Sequence, residues 1–388
     1  MTLSKARSDR IRPLIKWTGG KYSEFKEFGS LIPSFERYLE PFFGGGGVFF
    51  ALQTDKVVCL NDKSKDLINF YKALGDNNFR DQAFEYADAW DQSTKLSKDL
   101  IALENRLFSE FISQSIDFKQ LQDRLAKLFS QINHFHYAPL FELSFCIDSV
   151  EFIKTLCRSL ADKFRRIRII SQKEGRLFNQ AELADHFETG LKSGIYLYLR
   201  KLMNDMNRAK ITIQPSKAIA NWYFIREFCY ASMFRFNSKG EFNIPYGGIA
   251  YNRKNFRSKI QRLFSTEVSR LFEKSQITNL DYEEFLISIK LTASDFIFLD
   301  PPYDSEFSEY DQNAFTREDQ ARLARCLEKT STKWMMVIKE TPFVRSLYER
   351  PGIFLLDFNK NYSYNVRGRN NRYAKHLIIM NYQPEIAP

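Results

Sequence analysis

The sequence predicts an α/β domain with a mostly parallel central sheet, interrupted by a large helical insertion. Three observations carry this. Glycine-rich loops alternate with short apolar runs over the first seventy residues, and the same punctuation returns towards the C-terminal end. Between them lies a long stretch, sparse in glycine and proline, whose apolar residues recur at helical spacing. The length of 388 residues exceeds one typical domain of roughly 100 to 200 residues, which leaves room for such an insertion. We place the α/β domain at 1–71 and 266–388, the helical insertion at 72–215 and a small aromatic, basic subdomain at 216–265.

In chain order, loops are expected at Trp17–Lys21 and Gly44–Gly47, and a strand over Val57–Leu60 that ends on Asn61-Asp62. In the insertion, Leu96, Leu100, Leu103, Leu107 and Phe111 recur with a helical period, as do Leu121, Leu125, Leu128 and Ile132. Residues 222–262 carry eight Lys or Arg against two acids, the natural nucleic-acid surface of the chain. Strands follow at Phe296–Leu299, Trp334–Ile338 and Leu377–Met380, with a helix capped by Thr316 and Asp319 between the first two.

Composition narrows the class. Apolar residues at 44% and charged residues at 27% are ordinary for a soluble globular protein. No run of about 18 apolar residues occurs, and MTLSKARSDRIRP lacks the apolar core of a secretory signal, so a cytoplasmic enzyme without membrane association is expected. Five scattered cysteines never fall in a Cys-x-x-Cys spacing, and His134 and His136 have no cluster of partner ligands, so no metal site is expected. The net charge of +10 points to a polyanionic partner.

The most specific signal is FIFLDPPY, 296–303. Four apolar residues form a buried strand, and Pro301 and Pro302 end it, leaving Asp300 and Tyr303 at its carboxyl end, where open α/β sheets bind ligands. A carboxylate and a backbone carbonyl there can accept both N–H bonds of an aromatic amine and favour a nucleophilic nitrogen, while Tyr303 offers a stacking face. A turn that merely closes the strand is the competing reading. In EPFFGGGGVFF, 40–50, four glycines allow close backbone approach to a ligand, without the spacing of a dinucleotide loop or a phosphate-binding lysine. Asp62 is placed either to hold ribose hydroxyls or to cap the helix that follows.

Together with IKWTGGK (15–21), FRFNSKGEFNIPYGG (234–248) and NLDYEEF (279–285), these motifs resemble, in family order, the Dam-type DNA N6-adenine methyltransferases. The resemblance covers 12–71 and about 222–388, with the helical block as the departure. It implies a Rossmann-like methyltransferase domain, S-adenosyl-L-methionine (AdoMet) as cofactor and double-stranded DNA as partner, with 216–265 as target-recognition subdomain. It further implies that Trp17, Lys21, Phe43, Gly44, Gly46, Asp62, Asp281 and Tyr282 bind the cofactor. Asp300, Pro301, Pro302 and Tyr303 would form the catalytic motif, with Asp300 also beside the cofactor. Lys16, Tyr230, Arg235, Asn237, Lys239, Arg253, Lys254, Arg367 and Arg369 would face DNA, Tyr230 as a wedge and Arg235 on a guanine. Tyr230 as a core residue of a helix, and Arg235 as a phosphate contact, are the alternatives.

Cytosine N4, or an RNA or protein amide, are rival targets, and a catalytically silent DNA-binding protein is the rival from another class. The resemblance leaves open a restriction endonuclease acting on the same site. GATC-specific members carry Asn-Gly-Leu where this chain has Ala231, Ser232 and Met233, so a target other than GATC alone is expected.

Overall fold

Short runs, mostly apolar, build a seven-stranded sheet in the computed structural model, which describes residues 11–104, 106–132, 134–142, 144–303, 315–361 and 373–384. The strands are β1 (Arg37–Glu40), β2 (Val57–Asn61), β3 (Ser275–Thr278), β4 (Asp295–Leu299), β5 (Lys333–Lys339), β6 (Phe354–Asn361) and β7 (Tyr373–Met380). Their order is β3-β2-β1-β4-β5-β7-β6. The first five are parallel, and β7 lies antiparallel between β5 and β6. Every residue of β4 is buried, as expected of a strand covered on both faces. One face packs Leu39, Ile297, Leu299, Met336 and Ile338 against helices Tyr282–Ser288 and Arg317–Glu328. On the other, Phe28 stacks on Phe298 with ring centroids 5.5 Å apart. A fully buried side chain of this kind contributes about 1.5–3 kcal/mol, which lets a strand of only four residues, β1, hold the centre.

The register of β1 on β4 is fixed by charge as well as by pattern. Arg37 lies opposite Asp295, and its Nε and Nη2 donate to Asp295 Oδ1 and Oδ2 at 3.0 and 2.6 Å. Burial pushes the Asp295 carboxyl up, but the Arg37 and Thr292 hydrogen bonds outweigh it and hold the group below the usual aspartate range.

The chain divides into two compact units, 1–72 with 265–388, and 73–264. The second contains both the stretch read as a helical insertion and the one read as a recognition subdomain. Its long helices are Asn77–Leu103, Ser149–Glu174 and Gln180–Asn207, joined by shorter ones at Leu107–Ile112, Phe118–Ser130 and Pro215–Phe228. The periodic run from Leu96 to Phe111 is not one helix. The first helix ends at Leu103, which is 66% exposed, and a second turn starts at Leu107 and buries Leu107 and Phe111. Thr316 and Asp319 form both halves of a capping box.

Candidate active site

The four motifs of the α/β unit expected to face a ligand emerge from adjacent parallel strands at one edge. Asp281 follows β3, Asp62 follows β2, the glycine loop follows β1 and Asp300 follows β4. The chain leaves β1 towards β2 on one side and has β4 on the other, so EPFFGGGG and DPPY flank the topological switch point.

Asp300 is held by Lys21. The ammonium, 1% exposed, donates to Asp300 Oδ1 at 2.5 Å, to Tyr303 Oη at 2.8 Å and to the Gly19 carbonyl at 2.9 Å. Burial raises the Asp300 carboxyl above its ordinary range, and the Lys21 charge opposes that rise. The Pro302 carbonyl accepts from Gln320 Nε2 at 2.8 Å. The Pro301 carbonyl accepts no hydrogen bond among the described residues.

The glycine loop is interlocked with the Trp17–Lys21 loop. A Cβ on Gly44, whose φ is +50°, would lie 2.9 Å from the Trp17 ring, and one on Gly47 would lie 2.7 Å from the Lys21 backbone nitrogen. Side chains are therefore excluded where the two loops meet. Asp62 ties the loop down from β2, since its carboxylate accepts from Gly44 N and Ser64 N, both at 2.8 Å. Ribose holding and helix capping were alternatives for Asp62; its bond to Ser64 N spans two residues ahead of helix Lys65–Lys72 and is a turn bond, not a helix cap.

Three expected cofactor residues have structural partners. Phe43 is buried, with its ring 4.7 Å from that of Tyr71, so only its backbone lies along the loop. Asp281 caps its helix through Glu283 N and accepts from both Arg322 terminal nitrogens at 3.0 Å. Tyr282 is 4% exposed, lies under the Arg322 guanidinium and donates to the Asp319 carbonyl.

Sequence reasoning missed several supporting residues. Asn61, 1% exposed, donates to the Pro41 and Leu280 carbonyls and accepts from Leu280 N, fastening three edge loops together. His376 on β7 meets Tyr303 edge to face, with centroids 5.7 Å apart. Burial, and then the charges of Lys21 and Lys360, push its pKa down to about 3. Glu24, buried beside it, pairs with Lys360. Glu40 accepts from Tyr38 Oη at 2.9 Å, and burial raises its carboxyl well above the usual range. Glu40 and Asn61 stand in stretches already singled out; His376 and Glu24 do not.

In the second unit, helix Pro215–Phe228 stops before Tyr230, which is 44% exposed. Tyr230 is thus not a core tyrosine of that helix. Arg235, Lys239 and Arg253 are exposed. Asn237 is turned to its own loop, accepting from Lys239 N and Glu241 N at 2.9 Å. Lys254 donates to the Glu227 carbonyl and covers the Tyr251 ring. Arg257 is paired with Asp88 and Asp91. Arg226 is buried over Phe234. In the α/β unit Lys16 is exposed. Arg367 and Arg369 lie outside the described residues.

The family model of D12 class N6 adenine-specific DNA methyltransferases matches residues 17–148 and 148–364. The chain belongs to this family. Among its relatives, the Type II methyltransferase M.CviBI of Paramecium bursaria Chlorella virus NC1A is 31% identical over 166 residues, covering 42% of this chain and 60% of that protein. The Type II methyltransferase M.MjaIII of Methanocaldococcus jannaschii is 25% identical over 395 residues, covering 96% of this chain and 99% of the relative. The DNA adenine methylase of Vibrio cholerae is 23% identical over 370 residues, covering 92% of each. The enzyme is an adenine-specific DNA methyltransferase, and the cytosine, amide and silent-binder readings fall away. Among the described residues no helix is long and apolar enough to cross a membrane.

Proposed function

We propose that this methyltransferase acts in the cytoplasm on duplex DNA and takes its methyl group from AdoMet, with the target adenine turned out of the stack. A stacked adenine does not present N6 to a pocket at a sheet edge, so extrusion is required. The observation that carries the proposal is Asp300, pinned by Lys21 at the switch point beside a loop that admits no side chains.

The residues present fit the cofactor. Trp17 offers an aromatic face beside the Gly44–Gly47 backbone, and the Asp62 carboxylate stands at the adjacent strand end to accept from ribose hydroxyls. Asp281, kept ionised by Arg322, can receive the adenine amino group. When bound, AdoMet supplies a methyl group activated on sulfur. The chain does the rest by positioning. Asp300 accepts one N–H of the adenine amine and the Pro301 carbonyl the other, which draws the lone pair out of conjugation and aims it in line. Tyr303, braced by Lys21 and His376, presents its ring to the base. Exposed Tyr230 fills the place left in the duplex, and Arg235 reads a guanine by its O6 and N7.

This role suits a modification enzyme with a restriction endonuclease of the same specificity, as the Type II names of two relatives suggest. The test is Asp300→Ala assayed on plasmid DNA with mapping of modified bases. Wild type should leave N6-methyladenine, and the variant should lose methylation while still binding DNA. Methylation by the variant above a few per cent of the wild-type rate, or modification of cytosine, would refute the assignment.

A further inference from the structure

Helix Ser149–Glu174 carries seven Lys or Arg against three acids. Its buried side is formed by Phe152, Leu156, Leu160, Phe164 and Ile167. Lys154, Arg158, Arg165, Arg166 and Lys173 are exposed. At 3.6 residues per turn they fall within roughly a 120° arc of the opposite side, along roughly 28 Å of helix axis. Two of the acids, Glu151 and Glu174, stand at the ends of the helix. The third, Asp162, is bound to Arg165 at 2.8 Å. Lys154, Arg158, Arg166 and Lys173 make no ion pair among the described residues.

Like charges are crowded here in a way that an ordinary solvated helix face avoids. Lys154 and Arg158 are four residues apart, and Lys163 and Arg166 three, spacings at which equal charges repel. Burial and then Arg166 hold the half-buried Lys163 below the usual lysine range. On the next helix, burial and then Lys163 lower His186. Two guanidinium groups are also pre-positioned, Arg165 over the Phe118 ring at 5.1 Å and Arg168 over the Phe111 ring at 4.1 Å. Less side-chain freedom is then lost when they meet an anion. A row of phosphates would relieve the repulsion.

We propose that this face of helix Ser149–Glu174 is a phosphate-binding track for duplex DNA beyond the bases the enzyme reads, so that its footprint exceeds its target site. The inference rests on duplex DNA being the substrate. Phosphate contacts fix position and affinity without reading sequence.

The experiment compares wild type with the triple variant Arg158→Gln, Arg165→Gln, Arg166→Gln on a duplex of about 30 base pairs and on one of roughly 12, about one helical turn around the target. On the long duplex the slope of log affinity against log salt should fall by about 2.7, at about 0.9 per lost phosphate contact. The short duplex should bind both proteins alike, the methylation rate at saturating DNA should be unchanged, and the corresponding lysine variant should keep the wild-type slope. Circular dichroism and thermal unfolding report whether the variant folds. An unchanged slope and affinity on the long duplex, with both proteins methylating it, would overturn the track and leave the substrate intact. A wild type that binds no duplex would sink the substrate reading and the track with it.

Discussion

Lys21 opposes protonation of Asp300, the carboxylate proposed above to accept from the amine. Asp300 accepts the amine's hydrogen best when ionised; burial favours its neutral form, and the ammonium at 2.5 Å opposes that rise. Activity should therefore fall as pH drops through a carboxyl pKa above the ordinary aspartate range. Lys21→Met removes the opposing charge, so the acid limb of the kcat/KM profile should move to higher pH. An unmoved limb would separate Lys21 from this role. Residues 231–233 show a different constraint. Ala231 and Ser232 have φ of 53° and 54°, and Met233 N donates to the Tyr230 carbonyl, as in a type I′ turn. Asn-Gly adopts this backbone readily, whereas residues such as Ala and Ser there cost about 1 kcal/mol each. The turn beside Tyr230 carries no side-chain amide. Modification mapping should find a target other than GATC alone, and Arg235→Ala should relax discrimination at one base pair by about 1–3 kcal/mol. Methyladenine at all GATC sites and nowhere else would contradict the reading of Ala231.

Elements differ in how openly the sequence declares them. The strands β2, β4, β5 and β7 were legible because central or covered strands must be apolar and end on turn residues. The edge strand β3 was not, since Ser275–Thr278 buries no residue fully and carries no alternation. The polar, half-exposed β6 is similar. The helical run broke at Leu103 because period alone does not show where a chain turns. The placement of Asp300, Asp62 and the glycines at strand ends was legible because each follows a short apolar run that stops at a turn residue. The contacts that brace them, Lys21 to Asp300 and Tyr303 to His376, join positions far apart in the sequence and appear only when the strands align. One such long-range contact is testable at the opposite end of β4. Arg37→Met leaves the buried Asp295 carboxylate without its partner and should cost about 2–3 kcal/mol at neutral pH. Because the folded pKa of Asp295 is depressed, the contribution is complete above the unfolded value of 3.8 and is lost as pH falls through the lower folded value. The stability gap between wild type and variant, measured by urea denaturation, should close in that acid range. A gap that did not change with pH would show that Arg37 acts through packing alone.

Between β2 and β3 of the sheet, the whole molecule houses a second unit that begins and ends at neighbouring places. Within the α/β unit, Tyr71 stacks on Phe272 at 5.7 Å, so the chain leaves and returns close together. Within 73–264, Phe79 meets Phe264 at 5.5 Å, so that unit's own ends are also joined. Each has a separate apolar core, around Ile297 and Met336 in one and around Trp90, Phe224 and Phe228 in the other. A continuous core with close termini is what allows a segment to fold when excised. Residues 73–264 expressed alone should unfold cooperatively with a helical spectrum and bind duplex DNA with steep salt dependence. The complementary chain, with Lys72 joined to Ser265 by a short flexible linker, should bind AdoMet without methylating DNA. Calorimetry and circular dichroism decide the matter. A 73–264 fragment without cooperative unfolding, or a joined α/β unit that no longer binds AdoMet, would mean that the two cores depend on each other.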